Sequence, residues 1–300
     1  MLGESYKEFL AKFEPVFVKT LAELKESSVE VSMGETTLES FFSPLIDYTK
    51  GGKRIRPYLI SVAAGSTDKR VIQAGVAFEI LHTFILIHDD IMDGAKLRRG
   101  VPTAHVAFER YTPHGKWAAM LLGDFLLASA SDHMSRHSRE LLDEFHEMLR
   151  LLILGQYFEM LHWGKEVDAG VSENIEYFKS AQYTFMYPLR MGLILTDKKK
   201  GILDEYAKYT GLAFQMRDDW LDVTGEESGK DKGLDAQNSV PNVVQQLMKE
   251  NKGDIQRTKI EVERKLDDYR EKALIGIEGI SLLPSQKEAL GKILEFCVSV

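Results

Sequence analysis

One cysteine, Cys297, is all the chain carries, which excludes an internal disulfide framework and fits a cytoplasmic protein. Proline is scarce, eight in 300 residues, and no Ser- or Pro-rich linker or low-complexity run occurs, so residues 1–300 are expected to form one domain. A basic excess is also missing: the net charge of −8 argues against broad nucleic-acid binding. The longest apolar stretch, Ile80-Leu81 then Phe84-Ile85-Leu86-Ile87, is broken by His82 and Thr83 and stops at His88, so no transmembrane segment is expected. The polar, amphipathic start Met1-Leu2-Gly3-Glu4-Ser5 does not read as a secretory leader. Cys297-Val298-Ser299-Val300 fits a prenylation box only formally, because Ser299 is not aliphatic and no basic segment precedes it.

Alternating strand patterns are scarce too, and helical periodicity runs through the whole chain. Ser66-Thr67-Asp68 can cap a helix that continues to Asp93, with Gly94 as its exit; its second half is apolar nearly all round, as a central buried helix would be. A second long helix is expected from Ser172 to about Leu195, kinked at Pro188, and a third from Leu203 to Asp222. Amphipathic helices at about 5–26, 36–49, 116–133, 139–162, 239–250, 254–273 and 285–298 complete an all-α bundle of ten or more helices.

Two of those helices end in the same acidic signature, Asp89-Asp90-Ile91-Met92-Asp93 and Asp218-Asp219-Trp220-Leu221-Asp222. The first and last carboxylates of each stand on one helical face, roughly 6 Å apart between Cα atoms, and form a chelating pair. A solvated acidic helix end could explain one copy. Two copies, each following apolar helix and each joined to a basic loop, instead describe a clamp that Mg²⁺ can occupy together with an anion such as a diphosphate. The basic loops fall where that anion needs them. Gly51-Gly52-Lys53-Arg54-Ile55-Arg56-Pro57 leads into a helix with Pro57 expected at its first position, so that backbone N–H groups, Lys53 and Arg56 converge on one phosphate. Leu97-Arg98-Arg99-Gly100 offers guanidinium forks directly after the first acidic motif. Two basic clusters imply two phosphorylated substrates.

The series Gly52-Lys53, Arg56-Pro57, His82, Asp89-Asp90-x-x-Asp93, Arg98-Arg99-Gly100-x-Pro102-Thr103, Gly155-Gln156, Lys179-Ser180, Phe214-Gln215-x-x-Asp218-Asp219-x-x-Asp222 and Gly229-Lys230 closely resembles the trans-prenyltransferases, the head-to-tail polyprenyl diphosphate synthases. The resemblance implies the isoprenoid-synthase bundle around a central cavity, Mg²⁺ dependence, a homodimer, and elongation of an allylic diphosphate (dimethylallyl, geranyl or farnesyl) by isopentenyl diphosphate. By the same resemblance Asp89, Asp93 and Asp218 would ligate Mg²⁺, with Asp90, Asp219 and Asp222 as further carboxylates of the metal site. Arg98 and Lys179 would hold the allylic diphosphate, with Lys230 closing over it. Lys53, Arg56, His82 and Arg99 would hold isopentenyl diphosphate. Lys179, Ser180 and Gln215 would serve the reacting centre, where Ser180 and Gln215 can turn hydroxyl or carbonyl dipoles toward an allylic cation. No protein nucleophile or base is needed, so His88 and His105 read as structural.

Product length is expected to be set on the helix of the first motif, where Ile85, Phe84 and Leu81 descend by turns of roughly 5.4 Å, about one isoprene unit each. Phe84, five residues before the motif, is the expected plug, a pattern similar to archaeal-type geranylgeranyl diphosphate synthases with a twenty-carbon product; farnesyl or longer products are the alternative. Three departures stand out: Glu159 where the family usually has Asp, Val240 where a Lys is usual, with Lys232 as a possible substitute, and no basic C-terminal tail. A class I terpene cyclase would lack the second basic site and the second DDxxD. A regulatory subunit would have eroded carboxylates, and here all six are present.

Overall fold

The computed structural model describes residues 2–28, 35–165, 167–225 and 242–300. Its helices are α1 (Glu4–Glu26), α2 (Glu35–Thr49), α3 (Ile55–Ala64), α4 (Lys69–Asp93), α5 (Ala104–Phe108), α6 (Gly115–Ser135), α7 (Arg139–Leu161), α8 (Ala169–Glu176), α9 (Tyr187–Ile194), α10 (Asp204–Thr224), α11 (Val243–Glu250), α12 (Ile255–Ile275) and α13 (Pro284–Val298). A π-helical segment, Tyr177–Met186, joins α8 to α9. The expected all-α bundle is what forms. The one sheet among the described residues is a minimal hairpin, β1 (Leu97–Arg98) against β2 (Val101–Pro102), closed by Arg99 and Gly100 at φ of 52° and 77°. Two positive φ values in a two-residue loop match the twist of the paired strands.

Helix α4 is the axis of the molecule. Asp68 caps it, its Oδ1 accepting from the backbone N–H of Arg70 (2.9 Å) and Val71 (3.1 Å), and Gly94 ends it in the left-handed conformation at φ 70°. From Ala74 to Ile85 every side chain is buried, because α1, α3 and α6 pack around it. By length and composition α4 could cross a membrane, which the apolar-run reading did not anticipate; 83% of its most apolar window instead lies inside the protein. Burial among helices accounts for that hydrophobicity.

Three boundaries differ from expectation. α3 begins at Ile55, two residues before Pro57, with Arg54 at its N-cap held at φ 46° by ion pairs to Glu79 (2.8 Å) and Glu14 (2.8 Å). α8 begins at Ala169 because the Asp168 carboxylate, not Ser172, accepts from Val171 N–H at 2.9 Å. The break expected at Pro188 is spread upstream over the π segment. A proline cannot donate to the carbonyl four residues back, and a wider helical register absorbs that misfit. Neighbours fix the register: a Cβ on Gly155 of α7 would stand 2.9 Å from Lys179 N, and one on Gly211 of α10 would stand 2.6 Å from Ala181 Cβ. The backbone around Lys179 and Ala181 is therefore gripped from both sides.

Candidate active site

The ends of α4 and α10 meet over one cavity of about 720 Å³. All six motif carboxylates line it, and so do Lys53, Arg56, His82, Arg98, Arg99, Lys179, Ser180 and Gln215, together with Phe84 and Ile85. Residues 230, 232 and 240 lie outside the described residues, so Lys230 and the two expectations about the following loop have no position here. Leu81 is fully buried and does not border the cavity, unlike its helix neighbours.

The carboxylates are not equivalent. Asp90 is 1% exposed and turned away from a chelate: both its oxygens accept from Arg98 Nε (3.1 and 2.9 Å), Oδ1 also takes Arg98 Nη2 (2.6 Å), and Oδ2 takes the Tyr48 hydroxyl. A carboxylate so occupied has little left for a cation. Asp90 and Arg98, expected at the metal and at the allylic diphosphate, both border the cavity and here pair with each other. Burial, and then the Asp90 charge, push the Tyr48 phenol far up, so it stays a donor. On α10, Gln215 Nε2 donates to Asp219 Oδ1 at 2.7 Å and Arg217 Nη1 stands 3.4 Å from Asp218 Oδ1. An amide that gives its NH₂ to a carboxylate must turn its carbonyl elsewhere.

Among the described residues no three His, Cys, Asp or Glu side chains come together as a self-sufficient metal cage. The fit to Mg²⁺ lies in the donor chemistry: hard carboxylate oxygens in pairs on two helices, of the kind this ion uses when substrate phosphates complete its shell.

Lys179 stands in the cavity wall. Its Nζ donates to Glu159 Oε2 at 2.7 Å, and Gln156 Nε2 reaches the same oxygen at 3.2 Å. Burial opposes the lysine's charge, but Glu159, Asp89 and Asp93 overcome that and hold the ammonium well above its ordinary range. The longer acid at position 159 is therefore partner to Lys179.

Across the cavity, Arg56 Nη1 contacts His82 Nε2 at 3.1 Å, and its Nη2 donates to the Tyr183 hydroxyl (2.5 Å) and the Thr184 hydroxyl (2.9 Å). Guanidinium can only donate, so His82 Nε2 accepts and the ring proton sits on Nδ1, 3.2 Å from Tyr183 Oη. Burial, then the neighbouring Arg56, Arg99 and Arg98 charges, keep this imidazole neutral by pushing its pKa well below the ordinary value. Arg99 Nη1 is anchored on the Lys50 carbonyl at 3.0 Å.

The apolar floor below Asp89 is formed by Phe84 and Ile85, each 7% exposed, with His88 edge-on to Phe84 at 4.5 Å between ring centroids. His88 Nε2 donates to the Met120 carbonyl at 3.2 Å, and His105 is buried beside Thr103 away from the cavity, so both histidines have structural partners.

Sequence reasoning passed over Tyr48, Tyr183 and Glu176. The first two carry no motif signal. Glu176 is 6% exposed, lines the cavity, and accepts the Val243 N–H at 3.0 Å at the start of α11. Burial raises its carboxyl to about 8, against the opposing Val243 hydrogen bond, and Glu173 adds to the rise. Between the ordinary carboxyl range and about 8 the folded chain keeps a proton that the unfolded chain has lost, so stability falls as pH rises through that window. Glu176→Gln is expected to remove this slope, so that its Tm relative to wild type is higher at pH 9 than at pH 6; a melting series with the wild-type slope retained would place the titration elsewhere.

An all-α bundle with paired acidic helix ends and two basic clusters around one cavity is the arrangement that the resemblance to the polyprenyl diphosphate synthases implies. The family model of the polyprenyl synthetases matches residues 39–274, and the chain belongs to that family of prenyltransferases. It is 35% identical over 201 residues to a geranylgeranyl diphosphate synthase of Methanosarcina mazei, across 62% of this chain and 60% of that protein's length. It is 32% identical over 224 residues to a farnesyl diphosphate synthase of Haemophilus influenzae, across 66% of this chain and 74% of that one. Its fold matches the crystal structure of geranylgeranyl pyrophosphate synthase from Corynebacterium glutamicum, complexed with isoprenyl diphosphate and magnesium, at a TM-score of 0.80 and 22% identity, covering 96% of this chain and 99% of that one.

Proposed function

We propose that the protein joins isopentenyl diphosphate head to tail to dimethylallyl, geranyl or farnesyl diphosphate, with geranylgeranyl diphosphate as the main product. The observation that carries this reading is the single cavity shared by the two acidic motifs and a separate basic cluster, Lys53, Arg56 and Arg99. A cyclase needs only one phosphorylated substrate and leaves the second cluster without a purpose.

Asp89, Asp93, Asp218 and Asp222 would hold Mg²⁺, which, when bound with the allylic diphosphate, neutralises the leaving group as its charge develops. Lys179 holds the same diphosphate from the wall, and Lys230 would close over it. The allylic cation left by C–O cleavage lies near Ser180 and Gln215, whose oxygen dipoles stabilise it without reacting. Phe84, Ile85, Leu152 and Phe214 supply apolar lining to the cavity, which favours exclusion of water from the cation. Lys53, Arg56 and Arg99 hold isopentenyl diphosphate. His82, neutral, fixes Arg56 and adds no competing charge. The double bond attacks the cation, and the proton leaves to the released diphosphate.

Incubation of the chain with Mg²⁺, labelled isopentenyl diphosphate and each allylic diphosphate is expected to give elongated acid-labile products; a cyclised hydrocarbon, or no turnover, would overturn the reading. The twenty-carbon product rests on Phe84 closing the apolar floor. Farnesyl diphosphate is the competing product, the one named for the Haemophilus relative. Phe84→Ala is expected to lengthen the main product by at least one isoprene unit in product chromatography, and an unchanged length would remove Phe84 from this role.

A single domain, a cytoplasmic location and a homodimer complete the proposal. The homodimer is supported by an apolar face on α6 and α7, where Trp117 and Leu121 are 63% and 58% exposed and Ile153, Leu154, Tyr157 and Phe158 are also exposed. Light scattering that gave a monomer would remove it.

A further inference from the structure

We infer that Phe296, on α13, is a positioning residue for the isopentenyl diphosphate end of the cavity, holding Lys53 and Arg217 against one aromatic ring. The inference rests on the assignment of Lys53 proposed above. Lys53 Nζ lies 5.3 Å from the centroid of the Phe296 ring, and Arg217 Cζ lies 4.5 Å from the same centroid. Lys53, from the cavity wall, and Arg217, beside Asp218, thus converge on one side chain of the last helix.

The choice of partner matters. A lysine on a loop samples many rotamers, and an acid that fixed it would also cancel the charge an incoming phosphate needs. An aromatic face attracts the ammonium through its quadrupole and leaves the full charge in place. Among the described residues no carboxylate pairs with Lys53 Nζ, and its backbone carbonyl is tied down by the Tyr6 hydroxyl, so the ring orders a stem whose root is already fixed.

Arg217 carries the coupling further. It donates from Nε to the Ser299 carbonyl at 2.9 Å and stands beside Asp218, so the helix that orders Lys53 also braces the second acidic motif. The ring itself is only partly exposed, while Ile293, Leu294 and Cys297 bury the same helix in the core. α13 is held as firmly as the rest of the bundle.

The test is steady-state kinetics on the full chain with both substrates varied. Phe296→Leu keeps most of the volume and removes the π face; KM for isopentenyl diphosphate is expected to rise about three- to tenfold, with KM for the allylic diphosphate and kcat changed by less than about twofold. Phe296→Tyr keeps the ring and should restore the wild-type KM, which a packing role alone would not require. Lys53→Met should also raise KM for isopentenyl diphosphate, and adding Phe296→Leu to it should raise KM no further. If Lys53→Met leaves that KM unchanged, the assignment of Lys53 falls. If it raises KM while Phe296→Leu does not, or if Phe296→Leu acts equally in the Lys53→Met background, the role of Phe296 falls. Phe296→Met, another ringless side chain, replaces the Leu variant should that one fail to fold, and the same outcomes apply.

Discussion

Asp218→Asn is expected to lower kcat about a thousandfold while leaving the fold intact. The side chain is 28% exposed and its ion pair with Arg217 is a partly exposed one at 3.4 Å, so neutralising it should change Tm little. The loss falls on the chemical step, because charge on the leaving diphosphate is largest in the transition state and an interaction that grows there acts on kcat more than on KM. Asn keeps one oxygen donor but not the anion, so the variant should need more Mg²⁺ for half-maximal rate. Asp89→Asn, on the opposite helix, should behave alike, and the double variant should lose far less than the product of the two, since both acids serve one ion cluster. Radiolabel incorporation at stepped Mg²⁺ concentrations measures all three. Activity within tenfold of wild type in either single variant would move the metal site away from these helix ends.

Local chemistry was legible in the sequence. The Asp68 cap, the Gly94 exit, the four-residue spacing of the paired carboxylates and the burial of α4 all follow from interactions between near neighbours, which a linear reading can see. What escaped it depends on direction and on distant partners. Asp90 sits between two chelating positions, yet its side chain turns inward to Arg98 eight residues on, a pairing set by the hairpin at Arg99-Gly100. The π register is imposed by Gly155 and Gly211 from two other helices, and nothing within residues 177–186 announces it. Glu176 reads as one more surface acid on an amphipathic helix until α11 is laid across it. Leu81 has the right spacing below the first motif but faces the core, a distinction of about one-sixth of a turn that periodicity alone does not settle.

The Asp90–Arg98 pair yields the largest expected effect on stability. Arg98→Met leaves Asp90 buried with only the Tyr48 hydroxyl to meet it among the groups that now hold it, and breaking a buried pair on one side costs about 3–5 kcal/mol. In the wild type the Asp90 and Asp89 charges outweigh burial and keep the guanidinium protonated. Asp90→Leu combined with Arg98→Met removes both charges and should recover most of the loss, because the Tyr48 hydroxyl can then donate to the Leu86 carbonyl, 3.2 Å away. Urea titrations at pH 5 and pH 8 separate these cases. If Arg98→Met were as stable as wild type at pH 8 while KM for the allylic diphosphate rose steeply, Arg98 would be a diphosphate ligand first, and its pairing with Asp90 a resting arrangement that substrate displaces.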